Sequence, residues 1–214
     1  MRKYSFIKGE FYHVYSHAIG GLDLFKSDSD YKRFLSTLFL ANGTRDIPRL
    51  DRSDDLNLVW GLRDAKINIG DSLVDVIGFC LMSNHFHILL REKKDGNISI
   101  FMHRILVSFA KYFNLKHERR GHVFERTFDA KHLQDDNYIM RALAYIHLNT
   151  KDLKGWKKKE AKYPWSSFQD YVGENRWGNL LKTNFAMDYF DSNKNELKRF
   201  IESARKDDDY EFLT

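Results

Sequence analysis

Cysteine occurs once in this 214-residue chain, so it forms no internal disulfide and no cysteine cluster that could hold a metal. Cys80 lies in an apolar run and reads as a small buried hydrophobe. Proline is nearly as scarce. With only Pro48 and Pro164, and no Gly/Ser-rich stretch, nothing divides the sequence into two equally large halves. Long apolar runs are missing too. No segment reaches the length of a membrane span, and Met1-Arg-Lys-Tyr-Ser-Phe-Ile-Lys-Gly lacks the apolar centre of a signal peptide, so the expected location is the cytoplasm, with no membrane contact. What is present, 43% hydrophobic and 15% aromatic residues, is enough for one sizeable core.

The net charge of +5 is modest but unevenly placed. Between Arg91 and Lys131 lie Lys93, Lys94, Arg104, Lys111, Lys116, Arg119, Arg120 and Arg126, and a second cluster follows at Lys151, Lys154, Lys157, Lys158, Lys159 and Lys162. Tyr112, Phe113, Phe124, Phe128, Tyr163 and Trp165 are interleaved with them. Cations beside exposed rings suit a polyanion whose unpaired bases can stack. A lysine run alone is usually a solvated face, so the charge raises nucleic acid above other partners without proving it. The candidate contacts are Arg104, Lys111, Arg119, Arg120, Arg126, Lys131, Lys157, Lys158 and Lys159.

Residues 11–17 alternate as a strand, and 28–40 carry Tyr31, Phe34, Leu35 and Leu38 at helical spacing behind a Ser27 or Asp28 cap. Residues 44–71 read as an insertion in which 56–62 and 65–69 are short strands or irregular chain. Two strands at 73–81 and 85–92, joined by a tight turn at 82–84, form a central hairpin. Ile98, Phe101, Ile105, Phe109 and Tyr112 mark an amphipathic helix over 97–117, residues 122–133 read as a strand, and Asp135 and Asp136 cap a helix over 137–149. This βαββαβ order predicts an α+β, ferredoxin-like antiparallel sheet with both long helices on one face and the other face free for function, followed by the tyrosine-bearing helix. The segment after Gly155, including a last helix at 193–206, reads as appendages, and 207–211 as a solvated acidic tail.

Within the hairpin, His85 and His87 flank Phe86, so strand alternation points both imidazoles to one side. An isolated His-x-His step also suits the wet face of a half-buried strand. On the last helix of the sheet unit, Tyr138, Ala142, Tyr145 and Asn149 fall in one angular band beside the apolar Ile139, Leu143 and Ile146. Tyr145 and Asn149 are four residues apart and therefore neighbours, although a tyrosine in such a place is commonly just a packed core residue. Taken together, two neutral imidazoles and the Asn149 amide would hold a divalent cation with positions left for phosphate and water. Tyr145 would be the nucleophile beside it, conserving the phosphodiester bond energy as a phosphotyrosine.

In these features the chain resembles the single-tyrosine transposases of the HUH endonuclease class, in particular the REP-associated branch. The likeness rests on Cys80-Leu-Met-Ser-Asn-His-Phe-His-Ile-Leu-Leu90, Gly121-His-Val-Phe-Glu-Arg-Thr-Phe-Asp-Ala-Lys131, Ala144-Tyr-Ile-His-Leu-Asn149, and Trp165-Ser-Ser-Phe-Gln-Asp-Tyr171 with Gly173. Members often carry proline at the places of Ser83 and Thr150, and Asn-Arg-Gly where this chain has Ser16-His-Ala-Ile-Gly20. The resemblance implies an HUH domain over 1–173, interrupted at about 44–71, with a C-terminal helical extension over 174–214. It implies Tyr145 as nucleophile, His85, His87 and Asn149 as ligands to Mg²⁺ or Mn²⁺, and single-stranded DNA beside a hairpin as substrate, cleaved to a 5′-phosphotyrosine and rejoined in transposition. Relatives work as homodimers or as monomers, and both are allowed here. A domesticated protein that binds hairpin nucleic acid without cutting is the alternative, and a zinc hydrolase would need a third strong ligand that the sequence does not offer.

Overall fold

The periodicities decide most of the elements found in the computed structural model, which describes residues 5–46 and 56–206. The strands are Phe11–His17 (β1), Val74–Leu81 (β2), His85–Glu92 (β3) and Asp129–Leu133 (β4). The helices are Asp28–Leu40 (α1), Asn57–Arg63 (α2), Asn97–Lys116 (α3), Asp136–Leu148 (α4), Phe168–Val172 (α5), Asn184–Met187 (α6) and Lys194–Ser203 (α7). Caps fix where two of them start. Asp30 accepts the Ser27 N–H at 3.0 Å ahead of α1, and Asp135 Oδ1 accepts the Tyr138 N–H at 3.0 Å ahead of α4.

The four strands pair in the order β2-β3-β1-β4, every pair antiparallel, which is the ferredoxin-like sheet of a βαββαβ chain. Alternation sends Tyr12, Val14, Phe86, Ile88 and Leu90 to the face covered by α1 and α3, where Phe34, Phe101 and Phe109 fill the core. On the opposite face Phe11, Ile77, Cys80 and Leu89 meet Ile139, Leu143 and Ile146 of α4, with Phe168, Leu197 and Ile201 of α5 and α7 behind them. That second face is therefore not free. Its apolar residues are covered by α4 and the C-terminal segment, while His17 and Arg91 stay exposed.

Gly78 lets α4 come this close. A Cβ there would stand 2.8 Å from Leu143 Cδ1, inside van der Waals contact. The chain after Gly155, expected as an appendage, is bound along the edge of β2. Ser167 N–H donates to the Phe79 carbonyl (3.0 Å), Leu81 N–H to the Trp165 carbonyl (3.0 Å), Tyr163 Oη to the Leu81 carbonyl (2.9 Å) and Tyr171 Oη to the Ile77 carbonyl (2.7 Å). An edge strand that would offer unpaired backbone to another chain is thereby covered.

Two other expectations change. Residues 57–63 are helical rather than extended, because Val59 is buried and Trp60 stacks on Trp177 at 5.2 Å. The strand expected over 122–133 begins only at Asp129. Residues 122–128 pair with the backbone only through an isolated bridge, Ala18 to Phe124, among the described residues, since β1 ends at His17 and turns away at Ile19–Gly21. Residues 47–55 of the insertion and the acidic 207–211 lie outside the described residues.

Candidate active site

The histidine strand does not act alone. Register places His17 opposite His85 and Tyr15 opposite His87, so β1 adds His13, Tyr15 and His17 to the same face. The rings form a continuous row. His17 lies 4.8 Å from His85, His85 5.0 Å from His87, and His87 5.0 Å from His13 between ring centroids. Each has a defined partner on its inner side: His85 Nδ1 bonds Asn84 Oδ1 at 2.7 Å, and His87 Nδ1 bonds His13 Nε2 at 2.9 Å.

Helix α4 crosses over this row. Tyr145, half-buried, sets its ring 5.5 Å from His87 and 5.8 Å from His13, edge-on to both. Asn149, one turn later, donates from Nδ2 to the Tyr145 carbonyl at 3.2 Å, and its amide acts on the protonation of both the Tyr145 phenol and the His85 imidazole. The four residues expected to act together are thus brought together. Tyr138, two turns back on α4, has its backbone N–H on the Asp135 cap.

Burial sets the protonation states. It pushes His85 down to about 4, assisted by the nearby His17 and opposed by the Asn149 hydrogen bond. His87 is held well below its ordinary value by burial first and by His13 second. Both imidazoles are neutral at pH 7, the state that can donate a lone pair. The Tyr145 phenol is raised by burial, while the hydrogen bond to Asn149 works in the other direction. It is therefore protonated at rest.

With Nδ1 of both histidines engaged, Nε2 is the nitrogen left for a cation. Among the described residues no three His, Cys, Asp or Glu side chains converge on a point that would hold a metal. Two imidazoles completed by an amide would suit a cation that keeps water and phosphate oxygens in its remaining positions. A closed zinc site would need more.

The cations expected at nucleic acid divide among several surfaces. Arg104 is turned into the fold, donating to the Ala41 and Gly43 carbonyls at the end of α1. Lys111 and Arg120 are exposed on α3 and just after it, and Arg119 lies over the Phe113 ring at 5.7 Å. Arg126 is exposed, 3.9 Å from Asp129. Lys157, Lys158 and Lys159 are exposed in the turn beyond α4. Lys131 alone shares the histidine face by register, opposite His13. A cavity of about 390 Å³ between α3 and residues 121–128 is lined by Leu106, Val107, Arg126 and Phe128 and touches none of His85, His87, Tyr145 and Asn149.

Sequence reasoning missed His13, Tyr15 and His17. The signal was in Phe11-Tyr-His-Val-Tyr-Ser-His17, whose alternation puts all three on one face, but only the pairing of β1 with β3 says which face.

Residues 66–149 match the family model described as transposase, IS200 like. That interval contains β2, β3, α3, β4 and α4 with His85, His87, Tyr145 and Asn149. Among solved structures the chain is similar to a REP-associated tyrosine transposase bound to a REP hairpin, with a TM-score of 0.55 and 14% identity over 81% of this chain and 85% of that one. At that identity the likeness is one of fold. No curated protein sequence matches the chain.

Proposed function

We propose, taking as premise that the 66–149 core belongs to the IS200-like transposases, that this protein cleaves and rejoins single-stranded DNA beside a hairpin through a covalent bond to Tyr145. The observation that carries this is the packing of Tyr145 edge-on to His87 at 5.5 Å, with Asn149 one turn on and bonded to the Tyr145 carbonyl, beside the row that His85 shares. A histidine strand and a tyrosine helix from distant parts of the sequence converge there and nowhere else among the described residues.

The chemistry follows from those positions. His85 Nε2, His87 Nε2 and the Asn149 amide are the groups that would hold Mg²⁺ or Mn²⁺, and the bound cation would polarise the scissile phosphate and offset its charge. Tyr145 Oη attacks phosphorus, its O–P bond forms as the P–O3′ bond breaks, the phenolic proton is lost, and the departing 3′ oxygen takes up a proton. Asn149 orients the phenol and favours the phenolate over the neutral form, against the burial that disfavours it. Rejoining is the reverse attack by a 3′-hydroxyl on the phosphotyrosine. The solved relative was bound to a REP hairpin, and the exposed cations at Lys111, Arg120, Arg126 and Lys157–Lys159 fit a partner of that charge here. Such a protein acts in the cytoplasm, as a monomer or a homodimer.

The test is a covalent trap. Protein, Mn²⁺ and a hairpin-flanked single strand should yield a denaturant-resistant adduct through the 5′ phosphate, and Tyr145→Phe should yield none while still binding the DNA. An adduct that survives in Tyr145→Phe would overturn the assignment. Absence of adduct in the parent on every hairpin substrate would favour a binding protein without strand transfer.

A further inference from the structure

The hydrogen bond between His13 and His87 has chemical direction. Two imidazole nitrogens 2.9 Å apart share one proton, so one ring must donate and the other accept. The two arrangements are not equivalent for His87. If His87 Nδ1–H donates to His13 Nε2, the His87 Nε2 lone pair is bare. If His13 Nε2–H donates instead, His87 carries its proton on Nε2, and the nitrogen that faces the site becomes a donor that no cation accepts. Its neighbour has no such freedom, since His85 Nδ1 meets the amide oxygen of Asn84, which only accepts. His85 is therefore held as the Nδ1–H form.

We infer that His13 is a positioning residue, the hydrogen-bond acceptor that fixes His87 in the Nδ1–H form and turns its Nε2 toward the site. Three features of its place hold the bond, and the metal reading sets its direction. His13 is fully buried, as is His87 to within 4% exposure, so no water competes for the bond. It lies diagonally across the β1–β3 ladder from His87, which is two residues from the Leu89 that stands directly opposite it, so the geometry is set by backbone pairing. Its ring also meets Tyr145 edge-on at 5.8 Å, filling the space between the histidine row and α4. An orienting partner of this sort is usually a carboxylate or a carbonyl. Here an imidazole takes that place, and it needs no buried charge to do so.

The inference rests on the metal reading of the site, but its first test does not need a metal. Long-range proton–nitrogen NMR on the full-length, metal-free protein, labelled in its histidines, reads which nitrogen of His87 carries the proton. His87→Gln assigns the signal. The expected result is Nδ1–H at neutral pH, and an Nε2–H form as the main species would overturn the inference. The second test is Mn²⁺ affinity by calorimetry. His13→Phe keeps an aromatic ring of similar size but removes the acceptor, and it should weaken Mn²⁺ binding by about 10–100-fold. His13→Asn offers an amide oxygen and should recover part of the loss. Undiminished Mn²⁺ affinity in His13→Phe would sink the idea, and should that variant fail to fold, the tautomer of the parent still decides. If the parent binds no Mn²⁺ at all, the metal reading fails on its own, while the NMR result still reports whether His13 sets the His87 tautomer.

Discussion

Tyr145 stands edge-on to His87, ring centroids 5.5 Å apart and planes at 83°, across the gap between α4 and β3. Two other tyrosines compete for the role of nucleophile. Tyr138 lies on the same band of α4, seven residues and roughly 10 Å back along its axis. Tyr15 sits in the histidine face, 5.9 Å from His87. Tyr145 lies one turn from Asn149, whose amide favours its phenolate. Tyr15→Phe and Tyr138→Phe should therefore retain the covalent DNA adduct that Tyr145→Phe loses, as read by denaturing gels of labelled substrate. An adduct that disappears in Tyr15→Phe but persists in Tyr145→Phe would move the chemistry from the helix to the strand.

Asn149 joins the two halves of the site, so its loss should be felt by both. Asn149→Ala removes a cation donor and the amide that favours the Tyr145 phenolate while leaving the apolar band of α4 untouched. Cleavage should fall by at least about 10-fold, with a matching loss of Mn²⁺ affinity, and the melting temperature should barely move. Asn149→Gln, longer by one methylene, should sit between the two. Cleavage unchanged in Asn149→Ala would remove the amide from the donor set.

The elements that depend on local signals are legible in the sequence. β1, α1 and β3 occupy the residues that alternation and spacing predict, and Asp135 caps α4 as its position suggests. So is half of the site, because His85–His87 and Tyr145–Asn149 are each close in sequence. What is not legible depends on partners far away. The Leu56-Asn-Leu-Val-Trp-Gly-Leu62 run becomes helical where Trp60 finds Trp177, and the face expected to be open is closed by a segment that hydrogen-bonds to β2 from residues 163–171. His13 joins the site only through the register of β1 on β3. Periodicity gives a residue its face, but pairing gives it its neighbours.

His147 gives the fold an acid-sensitive point. It is buried against Phe168, its Nε2 bonded to Ser167 Oγ at 2.9 Å, and burial pushes it down to about 3. The unfolded chain would protonate it near about 6.5. Its contribution is thus complete above that value and is lost as the pH falls from there toward 3, at up to about 1.4 kcal/mol per pH unit. His85 and His87 add loss in the same direction. His147→Gln keeps a donor for Ser167 without titrating, so urea unfolding at pH 7 and pH 5 should show a flatter dependence by about one proton. Identical pH profiles for parent and variant would place the acid sensitivity elsewhere.

Asp170 locks the segment that covers β2. Its buried carboxylate accepts from Arg176 N–H (3.0 Å), Nε (2.8 Å) and a terminal nitrogen (2.8 Å), and from the Trp177 indole at 3.2 Å. Asp170→Asn keeps the shape but removes the charge and leaves at least one of these donors facing another donor. We expect a cost of about 2–3 kcal/mol, or roughly 4–12 °C in melting temperature. Because Trp177 packs on Phe39 and Trp60, the loss should appear as global destabilisation and not as local fraying at the C-terminus. Hydrogen exchange separates the two: faster exchange confined to residues beyond 170 would count against the lock.

The exposed lysines beyond α4 should carry affinity without carrying chemistry. Lys157, Lys158 and Lys159 project to solvent, and none belongs to the group around Tyr145. Each one that neutralises a phosphate releases counterion, so replacing all three by alanine should weaken hairpin binding and reduce the slope of log K against log salt by up to about 2–3. Arg104→Ala is the contrasting case, because that guanidinium is spent on the Ala41 and Gly43 carbonyls and should affect stability more than binding. Competition between a hairpin with a single-stranded flank and a blunt duplex of the same length, at about 50 and 200 mM salt, checks both statements at once. Equal affinity for the two substrates, or a triple variant with the parent's salt slope, would mean that the DNA runs over a different surface from the one at residues 157–159.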